Sequence, residues 1–319
     1  MFVLRDWQHF DQIKEQLSER NRHYFSLALG NFDGLHLGHQ KLIGQMVEET
    51  KKRQGFCGIL SFAPHPMEIV KGCLVPKLMT VEQKEQTIRN LGVDCYLLQD
   101  FDTGWAQISA QDFVERILYQ GLHVDHLYVG FNHSFGYLGQ GNAHYLEEMG
   151  RQYGFAVTVI GPVKQGEHIV SSTAIREALS LGDIVKVNQM LGYPFQVSGE
   201  VVKGRQLGHV LGFPTANVLY PQELQMVLPG VYAVQVEIDG ETFPGVANCG
   251  YQPTIDTENK TMILEVHILD KEINLYGKQI RTCFLAQIRS ERHFDGLESL
   301  KKQIALDCEK ARAFFEKII

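Results

Sequence analysis

Apolar, strand-like runs alternate with amphipathic stretches over the first 193 residues, and that alternation constrains the fold more than any other feature of the chain. The runs are YFSLAL (24–29), GFCGILSF (55–62), VDCYLLQ (93–99), VDHLYVG (124–130) and FAVTVIG (155–161), separated by segments such as HQKLIGQMVEETKKR and AQDFVERILYQ. Strands apolar on both faces and joined through helices form a parallel sheet covered on both sides. The expected N-terminal architecture is therefore a doubly wound α/β domain over 1–193. Beyond LGDIVKVNQMLGYP the period falls to two in PFQVSGEVVKG, GVYAVQVEIDG, TFPGVAN, TMILEVHILD and QIRTCFLAQI, with turn signals at Pro229-Gly230 and Asp239-Gly240. This is the pattern of an antiparallel sheet or barrel. One helical stretch, LESLKKQIALDCEKARAFFEKI, closes the chain, so the second expected domain, 194–319, is a β-barrel with a terminal helix.

Composition narrows the partners. Thirty basic residues against thirty-seven acidic ones give a net charge of -7, which offers a nucleic-acid backbone no general attraction. Small molecules are the expected partners, and the oligomeric state stays open. Six scattered cysteines without a CxxC pair read as reduced thiols. Charge at Arg5 and Asp6 interrupts the N-terminus, and no apolar run approaches the ~20 residues of a membrane span. A cytoplasmic location, away from membranes, is expected.

The stretch LALGNFDGLHLGHQKLI (27–43) places Gly30, Gly34 and Gly38 between a strand and a helix, with His36 and His39 three apart. Open α/β sheets bind ligands at such turns, where glycines admit a phosphate to the backbone and the helix start favours an anion. Two imidazoles one helical turn apart would project to one side and donate to charge building on phosphorus. A zinc site is disfavoured because HxxH has no third ligand nearby. A dinucleotide fingerprint is disfavoured because G-x-G-x-x-G is absent.

This HxGH pattern resembles the nucleotidyltransferase superfamily, and GNFDGLHLGH resembles its flavin-adenylylating branch. The resemblance implies that Gly30, Phe32 and Gly34 line the ATP phosphates and that His36 and His39 are catalytic. IVSSTAIREAL (169–179) is by itself a well-capped helix start. It resembles the family's second phosphate motif, implying that Ser172, Thr173 and Arg176 grip ATP. VGFNHSFGYLGQG resembles the flavin and adenosine loop, implying a flavin contact at Asn132. SFAPHPMEIV matches a strand-end motif whose usual acid is replaced by Ala63.

In the second part, GRQLGHVLGFPTANV (204–218) is glycine-rich but no Walker loop, since no GK[ST] follows. Thr215 and Asn217 lie two apart, so in an extended segment their oxygens share a side suited to magnesium. The block resembles the GxPTAN motif of riboflavin kinases, which implies Mg-ATP held at Thr215 and Asn217 with Gly208 and Gly212 on the phosphates. Glu265 and His267 share a face of TMILEVHILD, and the resemblance makes Glu265 the general base. It also places Arg289 and Phe294 near the flavin. His209 and Gln252 stand where relatives usually carry arginine, or arginine or asparagine.

Taken over nearly its whole length, the chain resembles the bacterial bifunctional riboflavin kinase/FMN adenylyltransferases, also called FAD synthetases. The family's activity would turn riboflavin and ATP into FMN and ADP in the barrel. FMN and ATP would become FAD and pyrophosphate in the α/β domain, both steps with Mg2+. Two readings compete with it: a nucleotidyltransferase for another phosphorylated acceptor, and a flavin-binding module without chemistry.

Overall fold

The computed structural model describes residues 1–18, 22–204, 208, 211–252, 261–271 and 273–317, which form two compact units, Met1–Ser172 and Thr173–Ile319. The first unit is built on six parallel strands: β1 (Phe2–Leu4), β2 (Phe25–Leu29), β3 (Phe56–Ala63), β4 (Cys95–Asp100), β5 (His126–Gly130) and β6 (Ala156–Ile160). Their order across the sheet is β1-β4-β3-β2-β5-β6, and every pairing is parallel. The chain therefore leaves β2 in one direction towards β3 and β4, then returns to β2's other side as β5 and β6. The reversal makes the carboxyl end of β2 the crevice where such sheets bind ligands.

All five residues of β2 are buried because the strand serves two cores. Phe25, Leu27 and Leu29 join Phe10, Phe56, Leu97 and Leu127 on one face. On the other, Ala28 meets Leu42, Ile43 and Met46 of the Leu37–Lys52 helix, with Ile59, Tyr96 and Tyr128. The Phe25 ring sits 4.6 Å from that of Phe10 and 4.7 Å from that of Phe56, a tight aromatic cluster beneath the sheet.

The second unit begins at Thr173, within the Ser172–Ser180 helix, holds the Ile184–Leu191 helix and continues into β7 (Gln196–Val202), β8 (Ala216–Leu219), β9 (Gly230–Ile238), β10 (Glu241–Gln252), β11 (Thr261–Ile268) and β12 (Gln279–Ser290). These close into an antiparallel barrel in the order β7-β8-β11-β10-β9-β12. The terminal helix, Leu297–Phe315, packs Cys308 and Ala311 against Val231, Ala233 and Val246 on the barrel's outer face.

The compact units divide after Ser172, whereas the expected domain boundary lies at 193. The Leu228 N–H donates to the Leu179 carbonyl at 3.0 Å, while the Asn188 amide donates to the Phe284 carbonyl and accepts from the Phe195 N–H. These bonds fasten the first helix to the loop before β9 and the second to β12 and the segment leading into β7. The helical stretch that reads as the end of the α/β domain thus packs with the β domain.

Candidate active sites in the two units

In the first unit, the chain leaves β2 through a turn that is tied down on every side. The Asn31 carbonyl accepts from the Ser61 hydroxyl at 3.1 Å and from Lys84 Nζ at 2.9 Å, and the Asn31 amide lies 3.0 Å from His65 Nε2. His65 Nδ1 accepts from the Met67 N–H. The ring proton therefore sits on Nε2, and the amide oxygen of Asn31 is the group that can meet it. Buried Asp33 accepts from the Leu78 N–H on its carboxylate and from the Ser172 hydroxyl on its carbonyl.

Between these anchors Phe32 and Leu35 adopt left-handed backbone angles, φ 49° and 36°, alongside Gly34 at 75°. Left-handed residues other than glycine cost free energy and persist where their surroundings over-determine them, commonly at functional sites. Gly30 fits closely as well, since a Cβ there would stand 3.2 Å from the Phe32 ring.

The turn delivers His36 as the N-cap of the Leu37–Lys52 helix, its Nδ1 accepting from the His39 N–H at 3.4 Å. The His36 and His39 rings stack with centroids 3.6 Å apart and planes 14° from parallel. Gly38 lies in the first helical turn rather than in the loop, correcting its expected place, and the reason is steric. A Cβ there would stand 3.2 Å from Cε1 and Nδ1 of His36, so glycine lets the imidazole lie over the helix start. Burial lowers the His36 pKa to about 4. It holds His39 well below the ordinary range too, with the nearby His36 and Lys84 adding to the effect. Both rings are neutral at physiological pH, and an acceptor at His36 Nδ1 leaves its proton on Nε2.

The other residues marked in this half divide between the units. Asn132 is exposed just beyond the end of β5, which pairs with β2. Ser172 is the last residue of the first unit, whereas Thr173 and Arg176 follow on the same helix in the second.

In the barrel, strand pairing sets the candidate residues in one row. Asn217 on β8 is opposite Glu265 on β11, which is opposite Asn248 on β10. Asn248 faces Val231 on β9, and Val231 faces Arg289 on β12. Directly opposed residues project to one face of a sheet, so these five side chains share the outer face. Asn248 was not among the residues marked in the sequence; its register opposite Glu265 is what reveals it.

A Cβ built on Gly204 falls on the Asn217 side-chain amide, and one on Gly208 stands 3.0 Å from the Thr215 hydroxyl. Backbone of the glycine-rich segment thus reaches both residues at a range that only glycine permits. Gly212 follows with φ 86°, another glycine conformation. The Pro214 carbonyl lies 2.8 Å from His267 Nδ1, which fixes the proton of that ring on Nδ1. His209 and the Gln252 side chain lie outside the described residues.

Arg289 points to the terminal helix. Its Nε and Nη2 both reach buried Asp307 at 2.9 Å, and Nη1 donates to the Ser290 carbonyl. The Phe294 ring lies 5.5 Å from the Arg289 guanidinium and 4.8 Å from that of Arg292, within cation–π range.

A parallel sheet with a histidine turn at its reversal point, joined in one chain to a closed barrel with a glycine-covered Thr/Asn pair, defines a nucleotide-using enzyme of two units. A family model for FAD synthetase matches residues 18–174 and one for riboflavin kinase matches 191–315. The Escherichia coli K12 bifunctional riboflavin kinase/FMN adenylyltransferase is 39% identical over 291 residues, 91% of this chain and 92% of that protein. Its Listeria monocytogenes counterpart is 36% identical over 92% of this chain and 93% of its own. A crystal structure of a Streptococcus pneumoniae protein named as a macrolide-efflux protein aligns with a TM-score of 0.83 at 27% identity, covering 91% of this chain and 94% of that one. The chain belongs to the bifunctional riboflavin kinase/FMN adenylyltransferase family. Riboflavin, FMN, FAD and ATP are the substrates and products of that chemistry. Among the described residues no helix is long and apolar enough to cross a membrane.

Proposed function

We propose that the two reactions use the two sites described above, one in each unit. In the first unit a phosphate oxygen of FMN attacks the α-phosphorus of ATP, the bond to the β-phosphate oxygen breaks, and pyrophosphate leaves. His36 and His39 act as neutral hydrogen-bond donors to the negative charge that grows on phosphorus and on the leaving group. The stacked imidazole pair at the sheet's reversal point, His36 buried and His39 half-buried, is the observation that carries this reading. Gly30, Phe32 and Gly34 would line the phosphates, with Ser172 as a further phosphate contact and Asn132 as a flavin contact.

In the barrel the ribityl hydroxyl oxygen of riboflavin attacks the γ-phosphorus, its proton passes to Glu265, and ADP leaves. Phosphoryl transfer asks mainly for positioning, charge neutralisation and such a base. The Thr215 and Asn217 oxygens, covered by Gly208 and Gly204 where a Cβ would fill the space, are hard donors that fit Mg2+. When bound with ATP, the ion supplies neutralisation of phosphate charge. Gly208 and Gly212 would approach the phosphates, while Phe294 borders the flavin and Arg289, engaged with Asp307, braces that wall.

The net charge and free cysteines support a cytoplasmic enzyme that acts on small molecules and not on nucleic acid. The test is incubation with riboflavin, ATP and magnesium, followed by chromatography. FMN and then FAD are expected, and both should cease on chelation. FAD formation without intermediate FMN would overturn the two-site scheme, and activity surviving chelation would overturn the magnesium assignment.

A further inference from the structure

Lys84 belongs to none of the recognisable motifs, yet its ammonium reaches the histidine turn from 53 residues away in sequence. It sits in the opening turns of the Val81–Asn90 helix, just behind a Thr80/Gln83 capping box. A cation at that end opposes the helix dipole. Burial works against it as well and lowers its pKa, with Lys77 adding to the effect and Asp33 offsetting it. The Lys84 ammonium donates to the Asn31 carbonyl at 2.9 Å, and Asp33 is the carboxylate whose charge acts on it. Holding an ammonium partly out of water costs free energy. Its position suggests what it does there. The carbonyl it holds immediately precedes left-handed Phe32, the residue through which the chain turns towards His36 and His39.

We propose that Lys84 is a positioning residue for adenylyl transfer, its ammonium pinning the Asn31 carbonyl so that the turn presents His36 and His39 in register while holding a fixed positive charge near His39. This rests on the adenylyltransferase reading of the first unit. The charged and titratable groups acting on this arrangement are His36 beside His39, and Asp33 and Lys77 around the ammonium.

The test measures FAD formation from supplied FMN and ATP in the full-length protein across acid and alkaline pH, with FMN formation from riboflavin recorded alongside. Lys84→Met should lower kcat for FAD formation by roughly tenfold to a hundredfold, the scale of a misplacement of about 1 Å. KM should change little, and the kinase step should be unaffected. The acid limb of the FAD profile should move to higher pH, since the cation that opposed protonation of His39 is gone. Lys84→Gln, which keeps an N–H for the Asn31 carbonyl without the charge, should recover most of kcat but keep the moved acid limb.

A Lys84→Met enzyme within about threefold of the parent, against that expected loss, would overturn the proposal. So would equal losses in Met and Gln variants with an unmoved acid limb and a lowered melting temperature, which would make Lys84 a prop for the fold alone. A parent enzyme that makes FMN but no FAD would instead refute the underlying adenylyltransferase reading, before Lys84 enters.

Discussion

Replacing Gly38 with alanine should make the first unit more stable and worse at making FAD, a combination that tests the histidine geometry directly. Glycine in a helix costs roughly 0.5–1 kcal/mol relative to alanine, so Gly38→Ala should raise the melting temperature of a unit this size by about 1–4 °C. The new Cβ would nevertheless stand 3.2 Å from two atoms of the His36 ring. The ring must then shift by a few tenths of an ångström, away from its 3.6 Å stack on His39. If a displacement of about 1 Å costs about a hundredfold, a third of that costs roughly three- to tenfold. The assay pairs calorimetry with FAD formation from supplied FMN, and FMN formation in the barrel is the internal control. A melting temperature at or above the parent's would show that loss of activity is not due to unfolding. Unchanged FAD formation with a raised melting temperature would refute the claim that the His36 ring position matters.

The remaining predictions address both sites. His36→Ala with His39→Ala should abolish FAD formation while FMN formation continues, each lost donor costing about 10²–10³ in rate; FAD produced at the parental rate would sink the assignment. Glu265→Gln should cut FMN formation by roughly 10²–10⁴ while riboflavin still binds and FAD still forms from supplied FMN, as read by chromatography and fluorescence titration. Stability should also follow pH through His36. Its folded pKa of about 4 lies below its unfolded value, so stability is fully present above the unfolded pKa and is lost as pH falls towards 4. His36→Asn preserves an N-cap and removes that titration, so its melting temperature should fall less steeply with acidification than the parent's. Parallel profiles would show that burial does not hold His36 neutral.

Much of the architecture could be read from period alone. The β2 run is buried at all five positions, four of them apolar, because both of its faces meet a core, and the alternation in TMILEVHILD separates Leu264 and Val266 from Glu265 and His267. Short elements were harder to see. Phe2–Leu4 is too brief to show a period, and Ala216–Leu219 lies beside a glycine-rich segment that reads as loop. The HxGH spacing marked His36 and His39. The supports for their turn were hidden because Lys84, Leu78 and Ser61 join it only through tertiary contacts. Asn248 and Asp307 are hidden in the sequence for the same reason: one is identified by strand register and the other by an ion pair across a helix–barrel contact.

The closed barrel gives the row of candidate side chains a property resembling a reading frame. Asn217, Glu265, Asn248, Val231 and Arg289 line up because five strands keep a common phase, and a sheet closed on itself has no loose edge where a slip can be absorbed. The pairing of β9 with β12 already shifts register at Val231/Tyr232 and Ala233/Val234. One residue inserted within β8, β10 or β11 would turn that strand's later side chains to the opposite face, exchanging a site residue for a core residue in one step. An insertion that leaves the phase of the row untouched must therefore fall in a turn such as Asp239-Gly240.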